Sequence, residues 1–431
     1  MTIETYKSII EYIRQIIKGH EFDGHVYSVG GCERDKHLGL QEIKDIDLVV
    51  DLKDGGIRFA RWLHSMGLVR NGNIIVYENF GTAMFRLSAF PDEEIEVVHT
   101  RKEIYRDKNS RNPETTFGTI GEDCFRRDFT INALYHNIST DEDLDLTSMG
   151  LTDLEQGIIR TCNNPDSTFI DDPLRLLRAL RFCCKLGFAM EKETVNGIVK
   201  HAKRLEIISQ ERITDEFNKI LLSANPSYGL KLLFNYGIID VIMPDVYTEG
   251  AKKEVLEKFP ALTQSHCYSL ELALGFLFNN RIITSEIREK VMKEFKYSNE
   301  IIKEVNLYGT YSWRIELACA LKLENKIREI ARICKDELHF RNVLAISKVM
   351  HSITYDGDYL DFIDTVSDIN MMFGYELPIT GDDVMEILNL EPGKKVGDIL
   401  QIIMEKAYEN PRINRKDCIK LMREIYEDGK K

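Results

Sequence analysis

The hydrophobic pattern changes its period near residue 150, and that change divides the chain into two architectures. The opening stretch 1–19, MTIETYKSIIEYIRQIIKG, sets Ile9, Ile10, Ile13, Ile16 and Ile17 at helical spacing, as one apolar stripe of an amphipathic helix. Five strand-type runs follow, separated by turn residues: HVYSV at 25–29, IDLVV at 46–50, IIVYE at 74–78, AMFRL at 83–87 and EIEVV at 94–98. From Leu151 onward strand signals nearly vanish, and LRLLRALRFCCKLG at 174–187 and ITDEFNKILLS at 213–223 carry helical periodicity instead. The predicted class is α+β, a mixed-sheet head followed by an all-α remainder. Turn-rich stretches at 163–166, 225–227 and 355–358 predict joints, with no long linker, fixed-period repeat or low-complexity tract between them.

A chain of 431 residues exceeds what one core usually organises, so about two to four structural units are expected. Hydrophobic content of 43% and charged content of 29% predict folded structure throughout. No apolar run approaches the roughly 20 residues a bilayer span needs, and the acid-bearing N-terminus lacks a signal-peptide core, so a cytoplasmic protein with no membrane partner is expected. The nine cysteines are odd in number, scattered and without a CxxC pair, which predicts reduced thiols rather than disulfides or a zinc site. A net charge of −13 opposes bulk attraction to nucleic acid, so any RNA site must be a local patch.

Candidate chemistry concentrates in the head. In KDIDLVV (44–50), strand alternation sets Asp45 and Asp47 on one face and Ile46, Leu48 and Val50 on the other. Paired carboxylates on a rigid strand suit a hard cation such as Mg²⁺, although acids at alternate positions also describe a solvated strand face. Upstream, HVYSV runs into Gly30-Gly31 and CERDKHLG, a strand, tight turn and helix start whose amides, with Arg34, can hold phosphate oxygens. A plain turn and an Arg34–Asp35 surface pair remain the alternative. Glu96 is the candidate third metal-site acid, with Glu94 on the same face. Further on, Asp172 is a good N-cap and Pro173 suits a first helical position, with Arg175, Arg178 and Arg181 following at three-residue steps. That stripe is either solvated or compensated by an anion.

VGGCERDKHLG at 29–39, KDIDLVV, FRRDFTINAL at 125–134, DDPLRLLRALRF at 171–182 and ERITDEFNKIL at 211–221, in that order, resemble the class II CCA-adding enzyme and bacterial poly(A) polymerase family. The resemblance resumes in ITGDDVMEILNLEPGKKVGDIL at 379–400, which looks like the tail of bacterial CCA-adding enzymes. It implies a polymerase-β-like nucleotidyltransferase head at 1–150, a nucleotide-selecting neck at 151–222, a helical body at 223–340 and a helical tail at 341–431. It implies Mg²⁺ on Asp45 and Asp47, and nucleotide contacts from Gly30, Gly31, Arg34, Arg127, Asp128, Asn132, Asp172, Arg175, Arg178 and Arg181. Asp172 and Arg175 would read the Watson–Crick edge of CTP or ATP, whose amino groups a carboxylate can accept from.

The implied activity is template-independent addition of C and A to a tRNA 3′ end, by two-metal in-line attack of the RNA 3′-hydroxyl on the α-phosphate. Tail bases Lys394, Lys395, Arg412, Arg415 and Lys416 would grip the RNA through phosphates. The polar stretch 103–123 stands where the family has the flexible loop that switches C to A. Glu33, in place of an apolar residue, sets a negative charge beside the triphosphate site; Asp171 replaces Glu, and Met149-Gly150 replaces a glycine pair. The absence of a His-Asp dipeptide removes support for an appended phosphohydrolase. Trp62 and Trp313 are either RNA-stacking or core residues. A poly(A) polymerase, a partial CC- or A-adding enzyme, and an RNA-binding protein with an inactive site stand as alternatives.

Overall fold

A computed structural model of the chain describes residues 1–78, 81–104, 114–244, 246–264, 268–279, 283–334, 336–350, 377–409 and 413–428. The chain forms two compact units, Met1–Thr248 and Glu249–Lys431. The proposed joint at 355–358, Cys267 and Arg412 lie outside the described residues.

The first unit begins with α1 (Ile3–Ile17), capped where the Thr2 hydroxyl accepts from Thr5 N. Its stripe of Tyr6, Ile9, Ile10, Ile13 and Ile17 is buried against Phe22, Val26, Leu48, Val50, Phe59 and Leu63, the core of the head. Ile16 packs only at its edge. The head then runs β1 (Val26–Val29), α2 (Gly31–His37), β2 (Ile46–Val50), α3 (Gly55–Ser65), β3 (Val69–Tyr77), β4 (Thr82–Leu87), β5 (Phe90–His99), β6 (Arg101–Ile104), β7 (Glu114–Phe117), α4 (Ile120–Phe125), β8 (Leu134–Asn137), β9 (Glu142–Asp145) and α5 (Gly150–Gln156). Seven strands form one sheet in the order β3-β4-β5-β2-β1-β8-β9, and within it β2 and β5 are parallel while every other pair is antiparallel. This is the expected mixed sheet.

The five expected strands are all present, with longer bounds for β3 and β5. Strands β8 and β9 carry no alternating apolar run; pairing with β1 and with each other creates them. The stretch 103–123 is less loop-like than its composition suggests. β6 and β7 pair as a hairpin from Arg101↔Phe117 to Ile104↔Glu114. α4 then starts at a capping box in which Thr119 and Glu122 satisfy each other's backbone amides. Residues 105–113 of the proposed loop lie outside the described residues.

Helices continue the unit: α6 (Pro165–Asp171), α7 (Leu174–Leu186), α8 (Lys192–His201), α9 (Gln210–Leu221), α10 (Pro226–Asn235) and α11 (Ile238–Ile242). A short parallel pairing of 158–159 with 189–190 interrupts them. α7 packs on α9 and α10, and its Leu176, Leu177, Leu180, Cys183 and Cys184 are fully buried.

The second unit is helical: α12 (Glu249–Thr263), α13 (Leu270–Leu277), α14 (Ser285–Glu294), α15 (Asn299–Ala320), α16 (Glu324–Cys334), α17 (Glu337–Met350), α18 (Gly381–Leu388), α19 (Lys394–Glu409) and α20 (Arg415–Asp428). Its last three helices enclose Ile379, Val384, Val396, Ile399, Ile403, Cys418 and Met422. Two of the tail bases have local partners: Arg415 forks the Asp383 carboxylate at 3.0 and 2.5 Å, and Lys395 lies over the Tyr426 ring at 4.7 Å. Trp62 is half-buried and stacked on His20 at 4.1 Å, whereas Trp313 is exposed. The eight described cysteines are free and buried. Among the described residues no helix is long and apolar enough to cross a membrane.

α3 connects β2 to the edge strand β3 and rests directly on β5. A Cβ on Gly56 would lie 2.7 Å from the Val98 carbonyl carbon and 2.9 Å from the Val97 oxygen, backbone atoms that cannot rotate away. Gly56→Ala should therefore cost about 1–3 kcal/mol through overpacking and loosen the strand that bears Glu96. Thermal denaturation checks the loss; a melting temperature equal to wild type would contradict the close contact.

Candidate active site

The register of β2 on β5 places Asp47 directly beside Glu96, and Asp45 precedes the same strand. Strand alternation aims these acids off the face that buries Ile46, Leu48, Ile95 and Val97. Burial, followed by the charges of Glu96 and Asp45, raises Asp47 to about 6, with Arg127 opposing. Burial and the Asp45 and Glu94 charges also raise Glu96, against the pull of Arg101. Glu94 itself turns to Arg86 at 3.3 Å, which leaves Glu96 as the third acid of the group.

Hard oxygen donors whose ionised forms are mutually disfavoured fit a divalent cation. Among the described residues the one group of three that brings ligand-type atoms within 4.8 Å of one another is another one, Glu33, His136 and Asp143. That second cluster already contains its cation: Lys36 Nζ lies 2.8 Å from Glu33 and 3.1 Å from Asp143.

Gly30 bounds the acid group. Its φ of +84° is open to glycine at little cost, and a Cβ there would stand 3.6 Å from Asp47 Oδ2 and 3.7 Å from Arg127 Nη1. Gly31 begins α2 beside the Arg34 guanidinium, 3.7 Å from where its own Cβ would be. Glu33 does not face this corner. It is fully buried, accepts from the Tyr6 hydroxyl, from Ser28 Oγ at 2.5 Å and from Lys36, and so points into the head. The expected penalty on anion binding is thereby met by three donors within the head.

The arginines form a connected wall, most of them held by an acid. Arg34, nearly buried, donates to Asp35 and to Asn132 Oδ1, both at 2.7 Å. Asn132 donates to Asp128 Oδ1 at 3.1 Å, and Arg178 donates to Asp128 Oδ2 at 2.8 and 2.5 Å. Although burial alone would raise it, Arg178 and Asn132 hold Asp128 down at about 2. Arg181 donates to Glu216 on α9 at 2.6 Å. Phe182 forms a common platform, with the Arg181, Arg34 and Arg178 guanidinium carbons 4.4, 5.3 and 5.6 Å from its ring centre. The stripe on α7 is thus compensated by anions rather than solvated. Arg127 donates to Asp123 and Tyr135, and Arg175 donates to the Arg126 carbonyl at 2.7 Å.

Asp172 ends α6 with extended backbone, and α7 starts at Leu174, one residue later than the proline suggested. Its Oδ1 still caps, accepting from Leu174 N at 3.1 Å, while Oδ2 faces Arg212 at 3.4 Å. Sequence reasoning missed Asp123, Tyr135, Phe182, Arg212 and Glu216. Arg212 and Glu216 stand one helical turn apart in ERITDEFNKIL, a signal that they share the face turned to α7.

An acid group on a mixed sheet, a glycine turn beside it and an arginine-walled helix on the same corner are the plan of a nucleotidyltransferase. Known proteins agree with that plan. Residues 26–160 match the family model for the poly A polymerase head domain, 187–248 that for a probable RNA and SrmB-binding site of polymerase A, and 270–422 that for a putative tRNA nucleotidyltransferase domain 2. The chain is 31% identical to the CCA-adding enzyme of Limosilactobacillus reuteri, over 71% of this chain and 72% of that one. It is 28% identical to the tRNA nucleotidyltransferase cca1 of Schizosaccharomyces pombe, over 92% and 90%. The structure of the Bacillus stearothermophilus CCA-adding enzyme in complex with CTP is similar with a TM-score of 0.71, at 22% identity over 97% of this chain and 98% of that one. The chain belongs to the CCA-adding enzyme family, and it is an enzyme.

The raised Asp47 carboxyl has a signed consequence. Its neutral form stabilises the fold fully below the ordinary carboxylate range, and that contribution, about 3 kcal/mol, is lost as pH rises through about 6. In chelator, Asp47→Asn should therefore raise the melting temperature at pH 7.5 and leave it unchanged at pH 4. A divalent cation should stabilise the wild type more at pH 7.5 than at pH 5. Equal effects at both values in scanning fluorimetry would count against a raised Asp47 carboxyl.

Proposed function

We propose that the chain adds C and A, from CTP and ATP, to the 3′ end of tRNA without a nucleic acid template. The observation that carries this reading is the convergence of Asp45, Asp47 and Glu96 with the arginine wall that ends in Asp172 and Arg175. Asp45 and Asp47 would hold Mg²⁺, with Glu96 beside them. Bound there, Mg²⁺ supplies activation of the RNA 3′-hydroxyl and neutralisation of the triphosphate. The 3′ hydroxyl gives up its proton to solvent as its oxygen forms a bond to the α-phosphorus and the bond to the bridging oxygen breaks, releasing pyrophosphate in line.

The chain's own groups do the rest. Arg127, anchored on Asp123 and Tyr135, keeps Nη1 toward Gly30 and the acid corner, where it meets phosphate charge. The Gly30-Gly31 turn admits the triphosphate close to the backbone. Asp172 and Arg175 read the base: the carboxylate accepts from the amino group of C or A and the guanidinium donates to ring acceptors. Arg34, Asp128, Asn132, Arg178 and Arg181 hold that reading frame through their pairs. Residues 1–150 act as head, 151–222 as neck, 223–340 as body and 341–431 as the tRNA-binding tail. Similarity to CCA-adding relatives along nearly the whole chain, and the tRNA nucleotidyltransferase match at 270–422, favour this over a poly(A) polymerase.

Transcripts ending before CCA, after C and after CC, given CTP, ATP or both, should each be completed and then stop, as read on a sequencing gel. Asp45→Ala should lower the rate by at least about a thousandfold, as expected when transition-state charge stabilisation is removed. Arg175→Ala should slow C and A addition and admit UTP or GTP. Long A-tails on any RNA would overturn the reading in favour of a poly(A) polymerase; arrest after CC, or extension only of the CC-ended transcript, would reduce it to a partial enzyme.

A further inference from the structure

One fully buried carboxylate, that of Asp123, lies beneath the nucleotide corner. Asp123, on α4, is 0% exposed and serves two arginines with separate oxygens. Oδ1 accepts from Arg126 Nη2 at 2.6 Å, from Arg126 Nε at 3.0 Å and from the Arg101 amide at 3.2 Å. Oδ2 accepts from the Tyr135 hydroxyl at 2.7 Å and from Arg127 Nη2 and Nε at 3.1 and 3.2 Å. Tyr135 also accepts from Arg127 Nε at 2.9 Å, and its ring lies 5.2 Å under that guanidinium. Two of the three nitrogens of Arg127 are therefore bound from below, and Nη1 is left directed at Gly30 and Asp47.

Arg126 is fixed in the same way. Besides Asp123 it donates to the Arg101 carbonyl at 3.2 Å and approaches Glu103 at 3.3 Å, so its backbone is held at the base of the β6–β7 hairpin. The carbonyl of that same residue receives Arg175 at 2.7 Å. The arginine facing the metal-side acids and the arginine facing the base thus trace to a single anchor. A purely stabilising ion pair would need one arginine, and a buried carboxylate between two guanidinium groups costs more to desolvate than an apolar residue of like volume.

We propose that Asp123 is a positioning residue for nucleotide binding: it aims Arg127 at the triphosphate and, through Arg126, seats the carbonyl on which Arg175 docks. This inference rests on the nucleotide-binding reading of that corner. Its prediction is selective. Asp123→Asn removes the charge that orients both guanidinium groups while keeping size, so the affinity for CTP and for ATP should fall by about tenfold or more, the loss expected for charge-assisted bonds. The tRNA KM should change less than twofold. Tyr135→Phe deletes one bond to each of Asp123 and Arg127 and should weaken CTP binding by a smaller factor. Asp123→Glu should recover part of the loss.

The measurement is equilibrium CTP and ATP binding by calorimetry with Mg²⁺ present, beside KM and kcat for tRNA extension, with far-ultraviolet circular dichroism as the check on folding. Unchanged nucleotide affinity in folded Asp123→Asn would overturn the proposal. So would nucleotide affinity and tRNA KM weakening by the same factor, which is the mark of a merely structural role. Should Asp123→Asn not fold, Tyr135→Phe decides, and wild-type CTP affinity in that variant would overturn it. A wild type that binds CTP yet extends no RNA would sink the functional reading and leave the comparison of affinities intact.

Discussion

Parallel pairing of β2 with β5 is the constraint on which the head depends. It alone sets Asp47 against Glu96, and it obliges the chain to leave one strand edge and return in the same direction, with α3 in the crossover. The cost is electrostatic. Burial first, and the neighbouring acid charges after it, push the Asp47 and Glu96 carboxyl groups upward. A rigid sheet keeps them from relaxing apart, which makes the corner a place that gains from positive charge.

Positive charge is plentiful nearby but is kept from collapsing onto the acids. The arginines of the wall are tied to acids: Arg34 to Asp35, Arg126 and Arg127 together to Asp123, Arg178 to Asp128, Arg181 to Glu216. Such pairs would contribute little to stability on the surface, and buried they are expensive to form and costly to break. Their return is geometric. A guanidinium held along one edge presents the other edge in a fixed direction, which is what recognition of a planar base or a phosphate requires. The same logic disposes of Glu33, whose charge is consumed on the inner side of α2 by Tyr6, Ser28 and Lys36.

Much of this was legible before any fold. The helical stripe of α1, the alternation in IDLVV and the change of period near 150 are local patterns, and local patterns follow from side-chain spacing alone. The Asp45–Asp47 pair, the glycine turn and the arginines of α7 were likewise visible as residue types, and the family resemblance lent them roles. Less legible were β8 and β9, whose residues become strands only through a neighbour, and the hairpin at 101–117, whose polar composition hides a paired ladder.

What the amino-acid order determined by itself was which faces are apolar and which residue types recur at which spacing, because these need only the geometry of one helix or strand. What tertiary structure alone decided was the company each charge keeps. Glu96 became the partner of Asp47, Glu33 turned inward, and Asp123 and Glu216 took hold of arginines that motif reading had assigned to the nucleotide. Burial and long-range register set the strength and direction of a charge's interactions, and neither exists until the chain has closed on itself.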